Sequence, residues 1–274
     1  MGIDRSRRVT FEEAADLYNE SRPGYPEELV EDVIRLSGLA ADGRILEIGC
    51  GPGNATLLFA RRGYHLLGIE LGEKLAQYAR QRCAAFPHTV IVTSAFEEYE
   101  LPPHSFDLAI SADAFHWILP EIGYPKLMNA LKPGGAMALF WHVPLDPQTE
   151  WSRAIDDVFR QYAPQFENPH HSFSLAWLEE IIRGNFRDYC GLEAVTVKPY
   201  NWSEVVDAET YIKLLRTYSS LRDMDAETRD ALHAGVRDVF QQFDGRVDKP
   251  YQVALFRANV DAGAGRHCPL GRAK

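Results

Sequence analysis

The chain is short of several things, and each shortage excludes a class of protein. Its 274 residues hold four cysteines (Cys50, Cys83, Cys190 and Cys268), widely spaced and without a CxxC pair. A thiol zinc site or a redox pair therefore has no support. No stretch approaches 18 apolar residues, so no membrane-spanning helix is expected. Positive charge is also scarce: Lys+Arg is 29 against Asp+Glu 39, a formal net charge of −10 at pH 7. An acidic chain gains nothing from counterion release on a phosphate backbone, so nucleic acid is not an expected partner. The start, MGIDRSRRVTFEEAA, is charged and lacks the apolar core of a secretory signal. Together these deficits predict a cytoplasmic protein with reduced thiols and no membrane partner. At roughly 150 residues per domain, the length allows one large domain or one and a half. A chain of this size buries about three quarters of its unfolded surface and needs no disulfide or metal to hold it.

Two patterns alternate from residue 26 to 141. Pro26 opens a helical stretch with Leu29, Val30, Val33, Ile34 and Leu36 on one face, and Gly38 stops it. Arg44-Ile-Leu-Glu-Ile48 is a short apolar run ending in glycines, and Asn54 to Arg62 then reads as a helix closed by Gly63. Strands follow at His65–Glu70, Thr89–Thr93 and Phe106–Ser111, with helices at 73–85 and 120–131. Pro133-Gly134-Gly135 reads as a turn before a fifth strand, Ala136–Trp141. Continuous apolar strands separated by helices imply a parallel sheet covered on both faces, a doubly wound α/β fold. The second half is richer in helix: Trp151, Ala154, Ile155, Val158, Phe159 and Tyr162 repeat at helical spacing, with further helices at 175–182, 209–218 and 226–240. Strands at 195–198 and 251–256 are placed to complete the same sheet, the last one antiparallel. The tail from Asp261 has little apolar content and is expected to fray.

The chemistry-bearing signal is the run Arg-Ile-Leu-Glu-Ile-Gly-Cys-Gly-Pro-Gly-Asn over 44–54. Gly49, Gly51 and Gly53 stand between a buried strand and a helix start, where residues without side chains let the backbone turn tightly and approach a ligand. Free N–H groups at that point favour a polar or anionic ligand group. The G-x-G-x-G spacing departs from the G-x-G-x-x-G of dinucleotide folds, and no Lys-Ser/Thr follows as in a P-loop. Glu70 ends the second strand, 17 residues past Gly53. There a carboxylate can accept hydrogen bonds from both hydroxyls of a ribose, each worth roughly 1.5–3 kcal/mol.

The run E-I-G-C-G-P-G, an acid at the end of the next strand, and L-K-P-G-G before the fifth strand resemble the class I S-adenosylmethionine-dependent methyltransferases. The likeness covers residues 10–142 well and the rest more loosely. The leading Phe11, Ala15, Tyr18, Arg22, Pro23, Tyr25 and Pro26 resemble the small-molecule branch that includes trans-aconitate methyltransferases. This resemblance implies a Rossmann-like, seven-stranded, mostly parallel sheet with an antiparallel last strand and helical lid insertions. It also implies S-adenosyl-L-methionine as cofactor and S-adenosyl-L-homocysteine as product. Residues 1–25 are then a lid segment, 26–142 the cofactor-binding core, and 143–260 the substrate-pocket helices with the last two strands.

Residue by residue, the resemblance puts Gly49, Cys50, Gly51 and Gly53 under the methionine part of the cofactor and Glu47 near its amino group. Glu70 holds the ribose, with Leu71 against the adenine. Ala95 and Phe96, in Ser94-Ala95-Phe96-Glu97, flank the adenine ring; many relatives carry Asp where this chain has Ser94 or Phe96, so Phe96 is expected to stack instead. Ala112 and Asp113 end the fourth strand at the crevice, and Trp117 is placed to shield the sulfonium. Tyr18 and Arg22, four apart, are expected over the cofactor, Arg22 offering a fork that matches a carboxylate. His116, His142 and Tyr18 are the candidate bases for a methyl acceptor. Arg216-Thr217-Tyr218-Ser219 also resembles a substrate-pocket segment.

Missing motifs narrow the acceptor. Asp113-Ala-Phe-His stands where enzymes that methylate base amines carry Asn/Asp-Pro-Pro-Tyr/Phe, and neither a Pro-Cys nucleophile nor paired glutamates occur there. The expected partner is a small-molecule acceptor bearing a carboxylate, hydroxyl or activated carbon, and the protein a monomer or homodimer. Trp151, Tyr162, Phe166, Phe173, Trp177, Tyr218 and Phe240 are the aromatics available to wall its pocket, although at helical spacing most of them read as core. No metal is expected, because His170-His171 lack acidic or thiol companions at ligand spacing. Two other readings stay open: a non-catalytic S-adenosylmethionine binder or sensor, and a nicotinamide-dependent oxidoreductase.

Overall fold

The apolar runs of the first half fold into five parallel strands: β1 (Arg44–Ile48), β2 (His65–Glu70), β3 (Thr89–Thr93), β4 (Phe106–Ala112) and β5 (Leu131–Val143). The computed structural model describes residues 15–221 and 223–260; Phe11, the first part of the expected lid and the tail from Asp261 lie outside them. β6 (Thr196–Asp207) and β7 (Arg246–Asn259) complete one seven-stranded sheet in the order β3-β2-β1-β4-β5-β7-β6. β7 runs antiparallel to both its neighbours. The sheet is therefore the mostly parallel one that the sequence implies, with its last strand reversed.

Helices cover both faces. On one, α2 (Glu27–Ser37), α3 (Asn54–Ala60) and α4 (Glu73–Arg82) bury Leu29, Val30, Val33, Phe59, Ala76 and Ala79 against Ile45, Leu66, Leu108 and Phe140. On the other, α5 (Pro120–Ala130) and α7 (Leu175–Cys190) bury Tyr124, Leu127, Leu178, Ile182 and Phe186 against Leu46, Ile69, Leu139 and Phe256. Each fully buried side chain of this size contributes about 1.5–3 kcal/mol. That burial, more than helix propensity, holds short helices such as α2 in place. Gly38 ends α2 in the left-handed conformation (φ 62°), which lets its N–H and that of Leu39 reach the carbonyls of Arg35 and Ile34.

A third apolar cluster joins α6 (Glu150–Tyr162), α8 (Ala208–Arg216) and α9 (Ala226–Gln242) over the outer ends of β6 and β7. Trp151 and Phe240 belong to this core, while Trp177 is largely exposed, so these three do not wall a pocket. Among the described residues no helix is long and apolar enough to cross a membrane.

Four elements run well beyond the bounds read from the sequence. Pro133-Gly134-Gly135 is not a separate turn: β5 starts at Leu131, opposite Phe106, and the register shifts between Phe106 and Leu108, with Gly134 at φ 81° inside the irregularity. β6 and β7 are 12 and 14 residues long because they pair along their whole length, from Thr196↔Arg257 to Asp207↔Arg246. α7 runs on to Cys190, where Gly191 caps it.

β1 lies between β2 and β4, so the chain leaves β1 in one direction and β4 in the other. In an open α/β sheet this reversal opens a crevice at the carboxyl ends of the strands.

Candidate active site

Two glycines after β1 shape the crevice floor. Gly49 has φ 66°, and a Cβ there would lie 2.4 Å from the Cβ of Ala114 on the loop after β4. Gly51 has φ 54°. Its N–H donates to Glu70 Oε2 at 2.8 Å, and Gly72 N–H donates to Glu70 Oε1 at 2.9 Å. The acid that ends β2 is thus oriented by a main-chain donor on each oxygen. The resulting groove, about 730 Å³ and open to solvent, is lined by Gly49, Gly51, Glu70, Leu71 and Leu75 on one side. Ala95, Phe96, Ala112, Asp113 and Trp117 close the other.

Asp113 stands where the groove meets two further spaces. The residue itself is left-handed (φ 54°). Its Oδ1 accepts the His142 backbone N–H at 2.8 Å; its Oδ2 takes the His142 Nδ1 at 2.5 Å and the Tyr25 hydroxyl at 2.8 Å. Burial alone would raise its pKa, but the His142 ring, these hydrogen bonds and the Arg22 charge hold the carboxyl well below the usual carboxylate range. His142 Nε2 lies 3.2 Å from the Gly24 carbonyl, so both of its ring nitrogens are engaged by protein oxygens.

Beyond Asp113 opens a larger chamber of about 1,180 Å³. Arg22, Pro23, His116, Trp117 and His142 line the side near the groove. Phe173, Tyr218, Ser219, Lys249, Tyr251 and Gln252 line the far side. Trp141 Nε1 donates to His116 Nδ1 at 3.0 Å, which places the neutral ring's own proton on Nε2. A narrower space of about 340 Å³ connects groove and chamber past Arg22, Tyr25, Cys50, Asn54 and Asp113. α1 (Ala15–Ser21) spans the top: Asp16 accepts from Tyr78 of α4 at 2.6 Å, and Glu20 accepts from Lys213 of α8 at 3.2 Å.

Residues 46–139 match the family described as methyltransferase domain. An uncharacterized methyltransferase of Geobacillus sp. is 34% identical over 157 residues, which cover 54% of this chain and 72% of that protein. The chain belongs to the class I S-adenosylmethionine-dependent methyltransferases. An uncharacterized methyltransferase of Mycobacterium tuberculosis is 29% identical over 154 residues, 56% of this chain, and the chain spans 60% of that relative's length. Trans-aconitate 2-methyltransferase of Paracidovorax citrulli is 33% identical over 128 residues, 45% of this chain and 47% of that enzyme. Among solved structures, one described as a type II methyltransferase from Anaeromyxobacter dehalogenans superposes with TM-score 0.63 at 21% identity, covering 88% of this chain and 98% of that one. A methyltransferase from Thiobacillus denitrificans, solved with S-adenosyl-L-homocysteine, superposes with TM-score 0.53 at 17% identity over 94% of this chain and 100% of that one. Both share the fold.

Against this methyltransferase frame, most residues singled out from sequence meet at the crevice. Gly49, Gly51, Glu70, Leu71, Ala95, Phe96, Ala112, Asp113 and Trp117 line the groove, and Arg22 and Cys50 line the connecting space. Cys50 is buried, and a Cβ at Gly68 would lie 3.2 Å from its Sγ; burial and the charges of Glu47 and Glu70 push that thiol well above its usual range, so it offers the crevice main chain rather than a nucleophile. Phe96 is buried, with the Lys126 ammonium 5.2 Å from its ring centre. The Arg22 guanidinium sits 4.7 Å from the Tyr218 ring centre and donates to the Thr217 carbonyl at 3.3 Å.

Two named residues line none of these spaces. Glu47 is fully buried beneath the loop, and burial pushes its carboxyl up to about 8, helped by the Glu70 charge. Gly53 (φ 88°) serves packing instead: a Cβ would lie 3.1 Å from Ala79 Cα on α4. The side chain of Tyr18 lies outside the described ones.

The argument that His170-His171 lack companions is also corrected. Tertiary folding brings Asp146 and Asp156 to His171, so that one ligand atom of each lies within 4.8 Å of the others. These groups already satisfy one another, His171 Nε2 meeting Asp156 Oδ1 at 3.0 Å. Two site residues escaped the sequence reading. Tyr25 stands out in the sequence only as part of the leading motif. Lys249 is betrayed by alternation alone, since Val247, Lys249, Tyr251 and Val253 are the inward positions of β7.

Proposed function

We propose that the protein transfers the methyl group of S-adenosyl-L-methionine to a small-molecule acceptor held in the chamber, releasing S-adenosyl-L-homocysteine. The observation that carries this reading is the join at Asp113 and Trp117, which border both the groove and the chamber. A cofactor in the groove can therefore present its sulfonium to an acceptor next door. Glu70 suits the ribose: its carboxylate lines the groove and is oriented by a main-chain donor on each oxygen, and an ionised carboxylate accepts hydroxyl donors strongly.

Transfer needs an in-line nucleophile about 3 Å from the methyl carbon, and positioning supplies most of the acceleration. The nucleophile's electron pair forms the new bond while the S–C bond breaks towards sulfur. Neither His116 nor His142 stands ready to take a proton. His116 keeps its basic Nδ1 on the Trp141 indole, and His142 has both nitrogens on protein oxygens. His116 therefore serves as a donor through Nε2 and His142 as a fixed support of the Asp113 corner. An acceptor atom that is already ionised fits this wall, because it needs no base. The expected signature is calorimetric binding of S-adenosyl-L-homocysteine that Glu70→Ala weakens at least tenfold, and transfer of methyl label to a small-molecule fraction. Unchanged affinity in the variant removes the ribose assignment.

A further inference from the structure

Lys249 takes an inward position of β7, between the buried Val247 and Tyr251. Only 6% of it is exposed, and among the described residues it makes no salt bridge. Its Nζ sits 3.9 Å from the Tyr251 ring centre and has one protein acceptor, the Pro250 carbonyl at 3.5 Å, the far limit of a hydrogen bond. Buried lysines are ordinarily paired, since an ammonium with three donors loses its hydration on burial. A tyrosine face returns part of that loss but leaves the donors unused. Burial, and to a lesser degree the nearby Arg22 charge, lower its pKa to about 8 against an opposing pull from Glu204. The ammonium therefore stays mostly charged at neutral pH.

Lys249 lines the chamber and neither of the other two spaces. Arg22, by contrast, lines both the chamber and the passage towards the glycine loop. The two cations face one space, and an anion between them would relieve their repulsion. We propose that Lys249 anchors an oxyanion of the methyl acceptor, a carboxylate or a phosphate ester, and thereby sets the enzyme's preference for anionic acceptors. This rests on the methyltransferase reading above. A group paired with an ammonium is a poor nucleophile, because its lone pairs are held by the donors. The anchored oxyanion is then not the methylated atom, and the acceptor carries at least two functional groups: one at Lys249 and one facing the sulfonium past Trp117.

The test uses the full chain saturated with S-adenosyl-L-homocysteine and four calorimetric probes: succinate and glycerol 3-phosphate, with succinamide and glycerol as their uncharged counterparts. At least one anion should bind tenfold or more tighter than its counterpart; which of the two does so separates carboxylate from phosphate. Lys249→Met should abolish that preference and Lys249→Arg should keep most of it. The Lys249→Met protein should melt no lower than the wild type, since it loses an unpaired buried charge. No anionic preference in the wild type, whether or not anything binds, overturns the proposal, as does a preference that survives Lys249→Met. Failure of S-adenosyl-L-homocysteine to bind is a separate result. It counts against the methyltransferase reading, and the anion preference remains measurable on the chain alone.

Discussion

Replacing Glu47 by Gln tests whether a carboxyl can be sealed under the glycine loop in its protonated form. Both carboxyl oxygens are buried without a hydrogen-bond partner. Burial above all raises the pKa from 4.5 to about 8; the nearby Thr56 hydroxyl opposes it, and the Glu70 charge adds a still smaller push upward. In the unfolded chain the group titrates at its ordinary value, so at pH 7 folding takes up a proton. Between 4.5 and 8 the native state binds more protons than the unfolded one, and stability falls as pH rises through that window. pH 7 lies 2.5 pH units above 4.5, and at about 1.36 kcal/mol per pH unit the uptake costs roughly 3 kcal/mol. Glutamine fills the same volume and does not titrate. Urea unfolding followed by tryptophan fluorescence, repeated from pH 4.5 to 8, should show the Glu47→Gln protein gaining on the wild type by about that amount by pH 7. The absolute offset is uninformative, because a neutral carboxyl and an amide are both underbonded there. Two stability curves that stay parallel across the window would refute the buried, protonated carboxyl.

Two further outcomes follow from the same reasoning. Gly49→Ala forces a left-handed alanine and sets its Cβ against Ala114. It should cost about 2–4 kcal/mol and weaken S-adenosyl-L-homocysteine binding at least tenfold; a wild-type urea midpoint would contradict this. Asp32 accepts from Lys198 at 2.5 Å and from Tyr200 at 2.8 Å, tying α2 to β6, and these bonds with Arg35 lower its pKa to about 2 despite burial. Its contribution is complete above pH 3.8 and is lost as pH falls through 2. Asp32→Asn should therefore cost about 1–3 kcal/mol at pH 7, with a gap to the wild type that closes in acid; a gap independent of pH would dismiss the ion pair.

What the sequence conveyed depended on whether the signal was local. β1, β2 and β3 were legible to the residue because each is a short apolar run between a helix stop and a glycine or polar break. The ends of β6 and β7 were not, because their outer halves, such as Trp202-Ser-Glu-Val-Val and Arg246-Val-Asp-Lys, carry polar residues and become strand only by pairing with each other. The start of β5 hid behind Pro133-Gly134, whose turn chemistry is real but is absorbed by a shift in register. At the crevice, glycine spacing and a strand-end acid announced the groove. The hydrogen bonds that tie up His116 and His142 come from Trp141, Asp113 and Gly24 on other segments, and no spacing rule reports them. Lys249 left only a period-two trace in a strand whose polar ends masked it.

Asp113 also bears on how this enzyme can be altered. One carboxylate fixes the end of β5 through His142 and the N-terminal segment through Tyr25, while bordering the groove and the chamber alike. Any substitution there disturbs several requirements at once, so substrate scope has no independent adjustment at that corner. The opposite wall on β7 bears no such load: Lys249 and Gln252 border the chamber alone. On the proposed assignment of groove and chamber, retuning of acceptor choice belongs on that strand, away from the methyl donor's seat.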